Sequence, residues 1–140
     1  MLAQETLYRC LVGTEVFTAF FNKEKTMITG RFYAGKDSLV TAQDFKISMK
    51  NMSSPIVKSI KNKKSTHWNY KESPLQLPYL QKQLSFKTAI FSPVIAIGQA
   101  IGIYFVARTA DIPFSEKEIA WFEQIVIYVG QAFENSQKQK

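Results

Sequence analysis

The sequence predicts an α+β domain: a central antiparallel β-sheet flanked by N- and C-terminal helices. Three observations carry that expectation. Two runs of β-branched and aromatic residues lie close together near the start, at 16–21 and 27–34. A second, stronger pair at 86–97 and 100–108 is joined across Gly98. A long apolar stripe at alternating three and four spacing then closes the chain behind its own start signal. The resulting order is helix, two strands, an irregular middle with one short helix, two strands and a long helix, which favours an antiparallel sheet with helices packed on it.

Taken in order, residues 2–13 read as a short helix, with Leu7 and Leu11 four apart on one face and Gly13 as its stop. The strands at 16–21 and 27–34 flank the polar stretch Asn22-Lys23-Glu24-Lys25-Thr26, a strand-loop-strand unit, and Gly35 ends the second of them. From 35 to 83 the periodicity is lost, except around Ser54. There Ser54 can cap, Pro55 suits a first helical position, and Ile56 and Ile60 share a face, so a helix is expected over 55–63. Residues 66–70 read as a short edge strand, and Ser73-Pro74 and Leu77-Pro78 mark loop after it. The hairpin around Gly98 is expected at the centre of the sheet, because its strands are the most apolar.

The last helix is expected over 116–136. Ser115 is a good N-cap, Glu118 completes a capping box, and Phe114 with Ile119 suits a hydrophobic staple. Its apolar positions Ile119, Phe122, Val126, Val129 and Phe133 form one stripe, and Trp121, Ile125 and Tyr128 widen it beyond one packing face. Such a helix can cover the sheet with one side and meet a partner with the other; an entirely intramolecular core is the alternative.

Composition narrows the function classes. At 140 residues and 46% hydrophobic, the chain fits one domain over 1–140 with an ordinary core. No apolar run approaches the ~18 residues that cross a bilayer, and the first residues lack a signal-peptide pattern, so a cytoplasmic location without membrane partners is expected. The single cysteine, Cys10, leaves no intramolecular disulfide or Cys-rich zinc site. With one histidine, His67, no Gly-x-Ser-x-Gly elbow and no phosphate-cradling glycine loop, no catalytic residue, metal or cofactor is expected. The net charge of +7 is concentrated: from Lys46 to Lys87 nine lysines face one acid, Glu72, while the rest of the chain is close to neutral.

The hairpin and last helix also carry a resemblance. Ser92-Pro93-Val94, Gly98, Ile101-Gly102-Ile103, Pro113-Phe114-Ser115-Glu116-Lys117-Glu118 and Ala132-Phe133-Glu134-Asn135 resemble the GAF family pattern. That pattern is a strand with Pro, a Gly turn, an apolar-Gly-apolar step, a capped helix start and an Ala-x-Glu-Asn end. The likeness is good over 86–136 and topological before it; within the family it is to the GAF-like modules that accompany HD-related output domains in bacterial signalling proteins. It implies a GAF-like fold in the profilin/PAS-like class, and a non-catalytic sensor or regulatory domain within a larger signalling protein. A PAS-like sensor is the runner-up fold. Gly102 is expected to let a helix approach the sheet.

The family's activities can be tested by absence. Free methionine sulfoxide reduction on this fold needs more than one cysteine, a bilin needs a cysteine in its pocket, and no Asn-Lys-x-x-Asp/Glu run of cyclic-nucleotide GAF domains occurs. The resemblance implies a pocket beneath the irregular middle. Lys58, Lys61, Lys63 and Lys64 are then placed to rim it for an anionic small molecule, with Trp68, Tyr70 and Phe86 as walls. The candidate ligand residues are Lys61, Lys64, His67, Trp68, Tyr70, Phe86 and Tyr104. A solvated lysine face is the plainer reading, and Phe17, Phe32, Phe91 and Tyr104 are large enough to fill such a cavity. Direct nucleic-acid binding by the lysines is disfavoured by only three Arg and no recognised motif. The third reading is a homodimer joined through the terminal helices, by Leu7, Leu11, Trp121, Ile125, Val126 and Val129.

Overall fold

The computed structural model of the protein describes residues 14–34, 46–52, 54–71 and 86–138. Six strands form one sheet: β1 (Glu15–Phe21), β2 (Met27–Ala34), β3 (Lys46–Ser48), β4 (Thr66–Asn69), β5 (Thr88–Ala96) and β6 (Gln99–Arg108). Two helices accompany it, α1 (Pro55–Asn62) and α2 (Glu116–Lys138). The spatial order is β3-β2-β1-β6-β5-β4, with every neighbouring pair antiparallel. The α+β expectation holds among these residues; the helix expected at 2–13 lies outside them.

The expected strands recur with ends shifted by one or two residues, and β4 does lie at an edge. Two expectations change. The innermost pair is β1 with β6 rather than the β5–β6 hairpin, because the first strand returns to pair with the last. β3 was not anticipated: Lys46-Ile47-Ser48 is too short to show a period of two, and three pairings to β2 hold it in place.

Alternation along the strands gives the sheet two different faces. One carries Phe17, Ala19, Ile28, Trp68, Ala89, Phe91, Ile103 and Phe105, and Ile56, Val57 and Ile60 of α1 pack onto it. The other carries Val16, Ile90, Val94, Tyr104 and Val106, covered by Phe122 and Val126 of α2. An irregularity between Thr18 and Ala19 leaves Arg31 without a pairing residue. One extra residue reverses the alternation along β2, so Ile28 and Tyr33 both join the α1 side although their numbers differ in parity.

Each helix starts where its local sequence dictates. Ser54 Oγ accepts the Ile56 N–H at 3.3 Å and Pro55 opens α1, whose C-cap Lys63 is left-handed at φ 55°. At α2, Ser115 Oγ accepts the Glu118 N–H at 3.1 Å and Glu118 Oε1 accepts the Ser115 N–H at 2.9 Å, the expected capping box.

Two glycines allow close approach. A side chain at Gly102 would strike Ala19 O and the Phe20 ring, so this glycine serves strand packing and not, as expected, a helix on the sheet. The helix instead approaches through Gly130, where a Cβ would run into the Ile95 carbonyl.

Candidate functional site

The seven candidate ligand residues fall in three places. Trp68 and Phe86 are buried in the α1-side core. Phe86 meets Phe17 and Phe105 edge-on, at 6.0 and 5.8 Å between ring centroids, and Phe17 stacks on Phe105 at 4.7 Å. With Phe91 at 5.2 Å from Phe105, these rings pack against one another on that face of the sheet. Tyr104, fully buried, stands on the opposite face beside Phe122 and Val126, so it shares no wall with Trp68 or Phe86.

Lys61 and Tyr70 are exposed. Lys61 Nζ reaches Met52 Sδ at 3.0 Å, and the Tyr70 ring is covered by Lys87 Nζ at 4.4 Å from its centroid. His67 and Trp68 are neighbours in β4 and must point to opposite faces, which separates a pair the sequence reading had placed together.

Lys64 and His67 come together in a different hollow, a groove of about 750 Å³ between the β4 edge and α2. One wall is the segment leaving α1, with Lys63, Lys64, Ser65 and His67. The floor is Ser92, Pro93 and Ile95 of β5, where β4 no longer covers that strand, together with Val126. The other wall is a single flank of α2: Glu123, Ile127, Gln131 and Glu134, spaced four, four and three.

Some of these polar groups are engaged. Lys63 Nζ donates to Gly98 O at 2.7 Å, the Ile97 N–H donates to Glu134 Oε1 at 2.5 Å, and Ser65 Oγ donates to Ser92 Oγ at 3.0 Å. Lys64, His67 and Glu123 make no ion pair among the described residues. The wall of the groove is thus basic on the loop side and acidic on the helix side, with the charges held apart.

A row of hydroxyls leads inward from the floor. Ser92 pairs with Tyr104 across β5–β6, and Tyr104 pairs with Thr18 across β6–β1. Among the described residues neither the Thr18 nor the Tyr104 hydroxyl finds a hydrogen-bond partner, and burial pushes the Tyr104 phenol up to about 12. A smaller hollow of about 230 Å³ lies where β4 and β5 meet the start of α2, lined by His67, Trp68, Phe114 and Ile119 among others.

The segment between β6 and α2 is clamped by a group the sequence reading missed. Arg108, buried at the end of β6, donates to Ile112 O at 3.3 Å, to Pro113 O at 3.2 Å and to Glu118 Oε2 at 2.5 Å, and lies over the Phe114 ring. Burial opposes ionisation of Glu118, but the Ser115 N–H and the Arg108 guanidinium outweigh it and hold the carboxyl below its usual range. A lone arginine at a strand end carries no sequence signal of this role.

Of the expected dimer residues, Leu7 and Leu11 lie outside the described residues. Val126 is 2% exposed and belongs to the core, and Val129, Trp121 and Ile125 are half-buried against it. The exposed apolar residues of α2 are Ile127, Tyr128 and Phe133. Among the described residues, no group of three or more His, Cys, Asp or Glu could hold a metal, and no helix is long and apolar enough to cross a membrane.

No family model matches the sequence, and no curated protein matches it. Solved structures do match, and GAF domains predominate among them. A methyl-accepting chemotaxis protein fragment, residues 122 to 287, superposes with a TM-score of 0.83 at 16% identity, covering 99% of this chain and 88% of the other. The GAF domain/HD domain protein of Geobacter sulfurreducens gives 0.77 at 23% identity, covering 96% and 89%. A type II free methionine-R-sulfoxide reductase from Thermoplasma acidophilum gives 0.71 at 14% identity, covering 93% and 85%. The fold is therefore that of a GAF-like domain, and the fold by itself accommodates both regulatory modules and an enzyme.

Proposed function

We propose that this GAF-like domain is a non-catalytic regulatory module of a bacterial signalling protein, acting in the cytoplasm as a homodimer and responding to a small molecule. The observation that carries this reading is the outer flank of α2. Trp121, Ile125, Tyr128 and Ala132 recur at four, three and four along the helix; Trp121 and Ile125 pack partly against the core, and Tyr128 is turned roughly 120° or more away from Phe122, Val126 and Gly130, which face the sheet. Tyr128 is 60% exposed on that flank, and a second copy of the helix would cover it. Matches of fold to a chemotaxis protein and a GAF/HD protein support a regulatory role. A chain with one cysteine, Cys10, lacks the thiol pair that sulfoxide reduction by disulfide exchange requires.

The test is sedimentation velocity over a range of concentrations. The wild-type domain is expected to sediment as a dimer, and Tyr128→Lys as a folded monomer with an unchanged circular dichroism spectrum. A wild-type domain that stays monomeric at every concentration would remove the dimer from this reading.

A further inference from the structure

We propose that the groove between the β4 edge and α2 binds a small zwitterion of the α-amino-acid type, its carboxylate held by Lys64 and His67 and its ammonium by Glu123. The inference rests on the regulatory reading above and gives it a ligand class. It places that ligand on the α2 side of the sheet, apart from the lysine-rimmed pocket expected over the other face.

Three features of the groove select the ligand. Its volume of about 750 Å³ lies within the ~300–1,000 Å³ range of small-molecule sites. Its walls carry opposite charge without pairing: Lys64, with the His67 imidazole beside it as a further polar group, comes from the segment after α1 and Glu123 from α2, and neither Lys64 nor Glu123 makes an ion pair among the described residues. A plain anion would meet Glu123 and Glu134 on one side, and a plain cation would meet Lys63 and Lys64 on the other. Only a molecule bearing both charges satisfies both walls. The floor adds Pro93, Ile95 and Val126, an apolar strip for a side chain, and Ser92 and Ser65 supply hydroxyls beside it.

The position of the groove links such binding to the helix. The two walls belong to different elements, and a ligand that bridges Lys64 to Glu123 ties the α1–β4 segment to α2 on the flank opposite Tyr128. Bound ligand would therefore bias the placement of the helix that carries the proposed dimer surface.

The experiment is a titration of the ¹⁵N-labelled domain, followed by its amide spectrum, with each of the twenty L-α-amino acids and with propionate and propylamine as single-charge controls. One or more amino acids is expected to shift the amides of Lys64, Ser65, His67, Ile127 and Gln131 saturably, while the controls do not. Lys64→Gln and Glu123→Gln, both at positions outside the core, should each weaken binding by about tenfold, the worth of one charge-assisted hydrogen bond. The proposal is overturned if no amino acid shifts these amides at 10 mM, a concentration of the order of weak-ligand dissociation constants. It is equally overturned if propionate or propylamine binds as well as the amino acid, or if both variants bind as the wild type does. Sedimentation of the same samples keeps the two readings apart, since a dimer that survives an empty groove leaves the regulatory reading standing.

Discussion

Tyr104 and Phe105 are consecutive residues of the central strand β6, both fully buried, and their surroundings differ in kind. Phe105 faces α1 and touches rings on three sides, from Phe17, Phe86 and Phe91. Tyr104 faces α2 with a hydroxyl unpartnered among the described residues, in a row of hydroxyl side chains that runs out through Ser92 to an open groove. The described α1 side is close ring packing; the α2 side has an apolar core of its own, around Val94, Phe122 and Val126, and opens at its rim into the groove. The proposed ligand and partner surfaces both lie with α2, where the groove and the exposed Tyr128 are.

Phe105→Ala should break the closed side most severely. Removing a fully buried ring from a stacked cluster costs about 4 kcal/mol, read as a shift in the chemical denaturation midpoint. Gly130→Ala tests how tightly α2 is seated on the open side. The added methyl meets the Ile95 carbonyl, a backbone atom that cannot rotate away, so a loss of about 2 kcal/mol is expected. A Gly130→Ala protein as stable as wild type would mean that α2 is not held at this crossing.

Smaller effects come from the titrating groups on the α2 side. Glu118 has a lowered folded-state pKa, so its contribution is present above the ordinary Glu value and is lost as the pH falls through the lowered one. Glu118→Gln should cost about 1 kcal/mol at pH 7 and flatten part of the acid limb of a melting-temperature profile between pH 7 and 3. Tyr104 has the opposite sign. Its folded-state pKa is raised to about 12, so the stability gained by burying the neutral phenol is complete below about 10 and is lost as pH rises toward 12. Tyr104→Phe removes a buried hydroxyl without a partner and should leave stability unchanged or raise it by about 1 kcal/mol. The same variant removes a phenol titrating at about 12 from an ultraviolet alkaline titration, and loss of stability instead would show that the hydroxyl has a partner.

Much of this was legible in the chain. The capping box at Ser115 and Glu118, the Ser54-Pro55 start of α1 and the strands at 27–34 and 100–108 are written in local residue chemistry, and each appears within a residue or two of its expected place. The resemblance over 86–136 pointed to the fold that the solved structures share. The site was not legible in the same way. Lys64, His67, Trp68 and Tyr70 are close in sequence and were read together, but β4 turns adjacent residues to opposite faces. The groove draws on 63–67, 92–95 and 123–134, three segments that no local pattern connects.

By itself, then, the sequence determined where most strands and helices begin and end, because capping, alternation and helical spacing act over a few residues. Only the tertiary structure decided that β1 pairs with β6, that Gly130 rather than Gly102 seats the helix, that Val126 is core while Tyr128 is free, and that basic and acidic walls face each other across β5. Those outcomes depend on which distant segments pack together, and packing is set by the whole chain burying its apolar surface at once.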